Sequence, residues 1–529
     1  MPAISRTNHY HSSFFIPYLV ITALLCGALV MVIEVLGSRV LSPLFGVSLF
    51  VWTSLITVTL VSLAMGYAAG GVLSDRKNQT DYLYGIILIC GVTTLLIPLV
   101  KAYVLKTCLS FGLRWGSLIS SAILFGPSLF FLGCVSPYII KLAAKEMKNI
   151  GRTVGFFYAI STVGSFLGTI LTGFVLIAYF QVSRIFNVVG FVLICLAVIY
   201  FVLFKKQWLV MILFLFSPLF FYGSPQNPKI LPNGTKVTEV FSTDSFYGNL
   251  KVLDYTFEDT HRRELLIDGF GQSFMDMKNR LSLYGYPYFI EFLPYALNPF
   301  GEKCLVIGLG AGIIPMWYEE RGITCDVVDI DPKIADIAEK YFGFHITGDI
   351  IISDARYFLL NSERKYDYIL VDVFTGDVTP GHILSLEAFT LLNEKLTAQG
   401  ILALNLIGSL KRETFMTASV IRTLKKVFET VKVYPNASTE SLEGILNLTV
   451  VAYNRPPMDI NPEIAKGFRV HPAVRPLVSE FLGKEFVFAQ NTPAIELSDD
   501  YNPIDFFDIW LKERIRKGYL EYTDVDMLL

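Results

Sequence analysis

The sequence predicts a chain in two parts: an N-terminal all-α bundle of membrane-spanning helices, then a C-terminal doubly wound α/β domain fronted by a small β-unit. Three observations carry this. Of the 529 residues 53% are apolar and only 17% charged, a balance too greasy for a wholly soluble protein. The apolar surplus sits in the first 222 residues. Beyond it, short apolar runs ending in glycine or aspartate alternate with helix-patterned segments, as in a mostly parallel sheet.

Seven apolar stretches fill the first part: about 14–36, 49–73, 82–104, 117–140, 154–179, 185–204 and 208–222. The first six are long enough to span a bilayer as helices; the seventh is short. The first is too long for a cleavable signal peptide and lacks a small-residue cleavage site. Arg76 and Lys77, then Lys141, Lys145, Lys148 and Arg152, then Lys205 and Lys206 fall in alternate loops, which places those loops and the N-terminus in the cytoplasm. If 208–222 crosses, the second part lies outside; if it is re-entrant, the second part is cytosolic. Gly66, Ala69, Gly70 and Gly71, and later Gly155, Gly164, Gly168 and Gly173, favour close helix packing. Glu34 is the one acid well inside an apolar span, either a functional group or a helix-end partner of Arg39. The expected location is the cell inner membrane, as a multi-pass protein with the lipid bilayer as partner.

Seven cysteines lie mostly in these helices without metal-ligand spacing, so neither a disulfide scaffold nor a metal site is expected. A net charge of −2 offers no basic face for nucleic acid.

Residues 223–234, rich in proline and glycine, read as a linker between the membrane part (1–222) and the second part. Alternating runs at 237–241, 249–254 and 263–267 make a small β-domain over 235–275, and 276–529 forms the α/β domain. Its organising stretch is 303–342, strand, glycine turn, helix, strand, acidic turn and helix. Gly308, Gly310 and Gly312 form a turn that lets backbone approach a ligand at a helix N-terminus. The strand at 325–328 ends at Asp329, a carboxylate placed to accept both hydroxyls of a ribose. A third strand ends in Asp354-Ala355 and a fourth, 366–371, in Asp372. Polar groups at four successive strand ends converge on one crevice, which reads as an adenosyl-sulfonium site.

These residues resemble the S-adenosylmethionine-dependent methyltransferase superfamily and, within it, the spermidine synthase (polyamine aminopropyltransferase) family. The resemblance covers about 235–509: STDSFYGNLKVLD, then RELLIDGFGQS with Asp268, Gly269 and Gln272 as the family's Asp-Gly-x-x-Gln, then YDYILVDVFTGDVTPGHILSLEAF, and finally LSDDYNPIDF. With the apolar half, the whole chain is similar to membrane-embedded, fused spermidine synthase-like proteins. The tract GYAAGGVLSDR also resembles a loop of major-facilitator transporters. The implied fold of the second part is Rossmann-like, of the methyltransferase/spermidine synthase type. The implied donor-binding residues are Gln272, Gly308, Gly310, Gly312, Asp329, Asp354 and Ala355. Asp372 is implied as catalytic, and Tyr288, Asp377, His382 and Asp499 as acceptor-binding. Three departures stand out: Ala311 where the family usually has an aspartate, Tyr288-Phe289 for its Tyr-His pair, and a wider spacing between Asp372 and Asp377 than the family's Asp-x-x-Asp.

The implied reaction moves the aminopropyl group of decarboxylated S-adenosylmethionine to a diamine such as putrescine, giving spermidine and 5′-methylthioadenosine. No cofactor is expected, since the adenosyl compound is a co-substrate, and a homodimer is an open option. The sulfonium is already activated; the amine, with a pKa of ~10, is mostly protonated at neutral pH and needs a base. Two other functions fit the same residues. One is a methyltransferase using intact S-adenosylmethionine, for which Ala311 leaves room; the other is a non-catalytic ligand sensor coupled to a transporter-like membrane half.

Overall fold

In the computed structural model the described residues are 14–528 except 78, 147–149, 210, 212–227, 375–379, 438–443, 461–465 and 508. They form two compact units, residues 1–225 and 226–528.

Among the described residues the first unit is helical: α1 (Phe15–Phe45), α2 (Leu49–Arg76), α3 (Thr80–Leu109), α4 (Gly112–Leu124), α5 (Gly126–Glu146), α6 (Ile150–Ile170) and α7 (Val182–Lys205). α6 continues through a π-helical turn, Leu171–Leu176, to Tyr179. Among the described residues six helices are long and apolar enough to cross a membrane: α1, α2, α3, the Gly126–Ala144 part of α5, α6 with its extension, and α7. One expectation needs correction. The apolar stretch 117–140 is not one helix, because α4 stops at Phe125 and Gly126-Pro127 starts α5. Proline has no amide hydrogen to continue the preceding helix, yet fits a first turn. The expected seventh stretch, 208–222, lies almost wholly outside the described residues.

α1 packs on α6, α2 on α5 and α3 on α7. A Cβ at Gly66 would stand 2.3 Å from the Phe130 carbonyl of α5, and one at Gly164 2.1 Å from the Leu24 carbonyl of α1. These glycines therefore set backbone-to-backbone contact, whereas Gly71, Gly155 and Gly173 face open space. Lys141 pairs with Asp75 at 2.7 Å and Lys205 with Asp81 at 2.8 Å, which gathers these loop charges at one end of the bundle.

Among its described residues the second unit holds two sheets. The first is an antiparallel meander, β1 (Lys229–Ile230), β2 (Lys236–Asp244), β3 (Asn249–Phe257), β4 (Thr260–Ile267), β5 (Phe270–Asp276) and β6 (Leu281–Ser282), in sequence order. It exceeds the expected 235–275: β1 lies inside the proline-rich stretch and β6 beyond it. Asp268 and Gly269, both at positive φ, make the two-residue turn between β4 and β5.

The second sheet contains β7 (Lys303–Ile307), β8 (Thr324–Asp329), β9 (Ile350–Ile352), β10 (Tyr366–Val371), β11 (Leu396–Ser409), β12 (Thr430–Pro435) and β13 (Ile445–Tyr453). Its order is β12-β13-β11-β10-β7-β8-β9, parallel from β11 to β9 and antiparallel at β13 and β12. The helices Tyr286–Leu297, Ile313–Glu319, Pro332–Phe342, Ala355–Asn361, Leu386–Glu394 and Phe415–Leu424 accompany this sheet. Its strands have buried side chains on both faces, including Cys304, Val306, Tyr368 and Leu370 in one apolar cluster and Leu305, Ile307, Ile369 and Val371 in the other. The chain turns from one side of β7 to the other between β7 and β10, and a crevice opens at their carboxyl ends.

Because the second unit has its own two apolar clusters, a fragment beginning near Asn227 is expected to fold without the helical half and to bind the adenosyl donor. Expression of that fragment without detergent, followed by donor titration, checks this; insolubility would mean that the halves share a core.

Candidate active site

Strands β8, β9 and β10 each lead into a carboxylate at the crevice, and β7 into a glycine turn. After β7 the chain turns at Gly308, φ 94°, whose missing side chain lets the loop lie on the end of β10. A Cβ there would sit 2.2 Å from the Asp372 carbonyl oxygen. After β8, Asp329 Oδ2 accepts the Leu309 N–H at 2.9 Å and Oδ1 accepts the Asp331 N–H at 2.9 Å, so the carboxylate ties the glycine loop to the next turn. Burial holds its pKa above the ordinary carboxylate value, against the lowering effect of those amides. After β9, Asp354 caps the helix Ala355–Asn361 through the Tyr357 N–H, 3.0 Å from Oδ1.

The small sheet forms the opposite side. Ser273 on β5 accepts the Ala311 N–H at 3.1 Å, fixing β5 against the glycine loop and placing Gln272 in the cavity wall. The resulting cavity, about 300 Å³, is lined by Gln272, Gly308, Gly310, Asp329, Asp354, Ala355 and Asp372, with Ile330, Ile383 and Pro380 as apolar surface. A purine fits such surface, and carboxylates with free lone pairs suit ribose hydroxyls.

Asp372 stands at the inner end. Its Oδ1 accepts from Asn405 Nδ2 at 2.8 Å and its Oδ2 from the Tyr286 hydroxyl at 3.3 Å. Burial pushes its pKa up to about 6, with the Asn405 and Tyr286 bonds acting in the opposite direction. A second, larger cavity of about 700 Å³ meets the first there, and Gln272, Tyr284, Tyr286 and Phe374 line both. Asn405, Asn436, Asn447 and one face of the helix Ile509–Tyr522 line the rest.

Four expected residues are placed otherwise. Tyr288 is buried away from both cavities, its hydroxyl donating to the Ser282 carbonyl at 2.8 Å and accepting the His471 N–H at 3.2 Å. Helix geometry explains this: Tyr286, two residues earlier on the same helix, lies on another face and points to Asp372. Asp499 is held by Arg356 through two 2.6 Å bonds and by Ser385 at 2.6 Å, and lines neither cavity. The Arg356 bond is also what keeps its pKa low. His382 lines the first cavity and not the second: its Nε2 is 3.4 Å from Asp354 Oδ2. Gly312 does not line the cavity; a Cβ there would strike Phe344 at 2.3 Å, so it serves close packing behind the loop. Asp377 lies outside the described residues. Tyr286, Asn405, Tyr284 and Tyr247 are site residues that sequence reasoning missed.

A spermine/spermidine synthase domain matches residues 290–460. The chain is 35% identical over 147 residues to an N-terminal histidine N-methyltransferase of Emericella nidulans, covering 27% of this chain and 26% of that protein. It is 34% identical over 123 residues to a polyamine aminopropyltransferase of Vibrio vulnificus, covering 22% and 40%. A polyamine aminopropyltransferase of Alkaliphilus metalliredigens is 32% identical over 213 residues, covering 38% of this chain and 71% of that protein. The chain thus spans about a quarter of the first of these relatives and two fifths of the second.

Proposed function

The chain belongs to the polyamine aminopropyltransferase family, and on that premise we propose that its second unit transfers the aminopropyl group of decarboxylated S-adenosylmethionine to a diamine such as putrescine, giving spermidine and 5′-methylthioadenosine. The observation that carries the reading is Asp372, a carboxylate with its pKa at about 6 at the junction of an adenosyl-sized cavity and a second chamber. The donor lies along Asp329 and Asp354, with its sulfonium toward Asp372. The acceptor enters from the second chamber, and Asp372 takes the proton from its ammonium group. The freed nitrogen lone pair attacks the carbon beside sulfur. As the N–C bond forms the C–S bond breaks, and its electron pair stays on sulfur as a neutral thioether. The proton then held by Asp372 leaves to solvent, and no cofactor takes part. The helical unit carries this activity in the inner membrane as a multi-pass protein, a placement supported by the six long apolar helices among its described residues.

Methyl transfer from intact S-adenosylmethionine is the second reading. It is favoured by Ala311, which puts a methyl group and not a carboxylate on the glycine loop, and by the name of the Emericella relative. Mass spectrometry of products from purified protein with putrescine and each donor decides between them. The expected product is spermidine, formed with the decarboxylated donor only; a methylated amine from the intact donor would overturn the aminopropyl reading.

A further inference from the structure

Behind the wall shared by the two cavities lies a carboxylate that the reaction above does not use. Glu264 on β4 is buried, 7% exposed. Its Oε1 accepts from the Tyr284 hydroxyl at 2.8 Å and its Oε2 from the Tyr255 hydroxyl at 2.7 Å. Among the described residues no basic side chain is bonded to it. The space around it is made to measure: at Gly271, on the neighbouring strand β5, a Cβ would stand 2.6 Å from Glu264 Oε1 and 2.2 Å from the Tyr284 oxygen. Tyr284 and Tyr286 lie side by side with ring centroids 6.4 Å apart. The rings thus link two carboxylates, Glu264 beyond Tyr284 and Asp372 beyond Tyr286. Both rings face the larger chamber.

We infer that Glu264 is the specificity-determining residue of the acceptor chamber, a buried carboxyl group that selects amines carrying a second ammonium group. This rests on the aminopropyl-transfer reading of the site. A carboxylate buried without a cation is costly, and two neutral phenols offset only part of that cost. Burial raises the Glu264 pKa, and Arg514 and Lys517 line the same chamber without bonding to it; an ammonium group seated beside Tyr284 adds counter-charge across that ring and favours the ionised carboxylate. A monoamine reaches Asp372 equally well but leaves Glu264 uncompensated. Glu264 touches neither the donor nor the reacting nitrogen; it acts through charge and through the position of Tyr284.

The test compares putrescine with 1-aminobutane, an amine of the same length lacking the second nitrogen, on the full-length protein. Binding of each amine is measured calorimetrically in the presence of 5′-methylthioadenosine, and transfer is followed separately. Glu264→Gln is nearly isosteric and still accepts from a tyrosine. It is expected to weaken putrescine binding about tenfold, the order expected of one carboxylate acting on a cation across a partly solvated gap, and to leave 1-aminobutane binding unchanged. Glu264→Asp is expected to restore part of the preference, and Tyr284→Phe to retain most of it with the charge in place. Equal weakening of both amines, or an unchanged putrescine preference in Glu264→Gln, overturns the inference. A wild-type protein that prefers putrescine in binding yet transfers nothing supports the charge selection while sinking the aminopropyl-transfer reading.

Discussion

Replacing Asp372 with asparagine lowers turnover by about 10²- to 10⁴-fold, the usual loss when a general base is removed, and leaves donor binding near its original strength. Asparagine preserves the shape and can still accept from Tyr286, but it takes no proton, so the amine stays an ammonium. The pH dependence separates this from a packing effect. With Asp372 ionising at about 6, kcat/KM of the wild type rises through that pH. The variant lacks this inflection and gains rate only as the solution pH approaches the amine pKa of ~10. Stability moves the opposite way. The folded pKa is raised above the unfolded value of about 3.9, so Asp372 favours the fold most below pH ~4, and that contribution is lost as pH rises through about 6. Asp372→Asn should therefore be the more stable protein at pH 8, by up to about 2 to 3 kcal/mol, with no advantage near pH 4. Wild-type turnover in the variant at neutral pH would remove Asp372 from the mechanism.

Replacing Asp329 with alanine is expected to weaken donor binding by about 10- to 100-fold, from the loss of hydrogen bonds worth about 1 to 3 kcal/mol. Two effects combine here. The ribose loses its acceptor, and the amides of Leu309 and Asp331 lose the carboxylate that holds the glycine loop. Asp329→Asn keeps one acceptor oxygen and should fall between. Calorimetric titration with the donor checks both, and an unaltered dissociation constant in Asp329→Ala would falsify the ribose assignment.

Groups set by their own strand were readable from the chain. Gly308, Asp329, Asp354 and Asp372 each follow an apolar run, and a parallel sheet aligns such run ends. Groups set by distant partners were not. Asp499 sits in a tract resembling an acceptor motif, but Arg356, 143 positions away, captures it. The choice between Tyr286 and Tyr288 depends on the rotation of one helix, which neither hydropathy nor a motif of two aromatic residues specifies. Asn405 and Glu264 lie inside sheet strands whose patterning signals a strand and nothing about chemistry. Hydropathy likewise ran unbroken across Phe125, where Gly126-Pro127 divides α4 from α5.

The two cavities are lined by stretches of chain that can change separately. The first-cavity residues Gly308, Asp329, Asp354 and Asp372 all fall within the matched domain, while the second-cavity wall formed by Ile509–Tyr522 lies past its end at residue 460. On the proposed aminopropyl-transfer reading, mutation in that terminal helix would reshape which amine is admitted without disturbing the strand ends assigned to the adenosyl group. Descendants of one ancestral donor fold could in this way diverge in acceptor, and a laboratory selection for new amines should collect its first changes there.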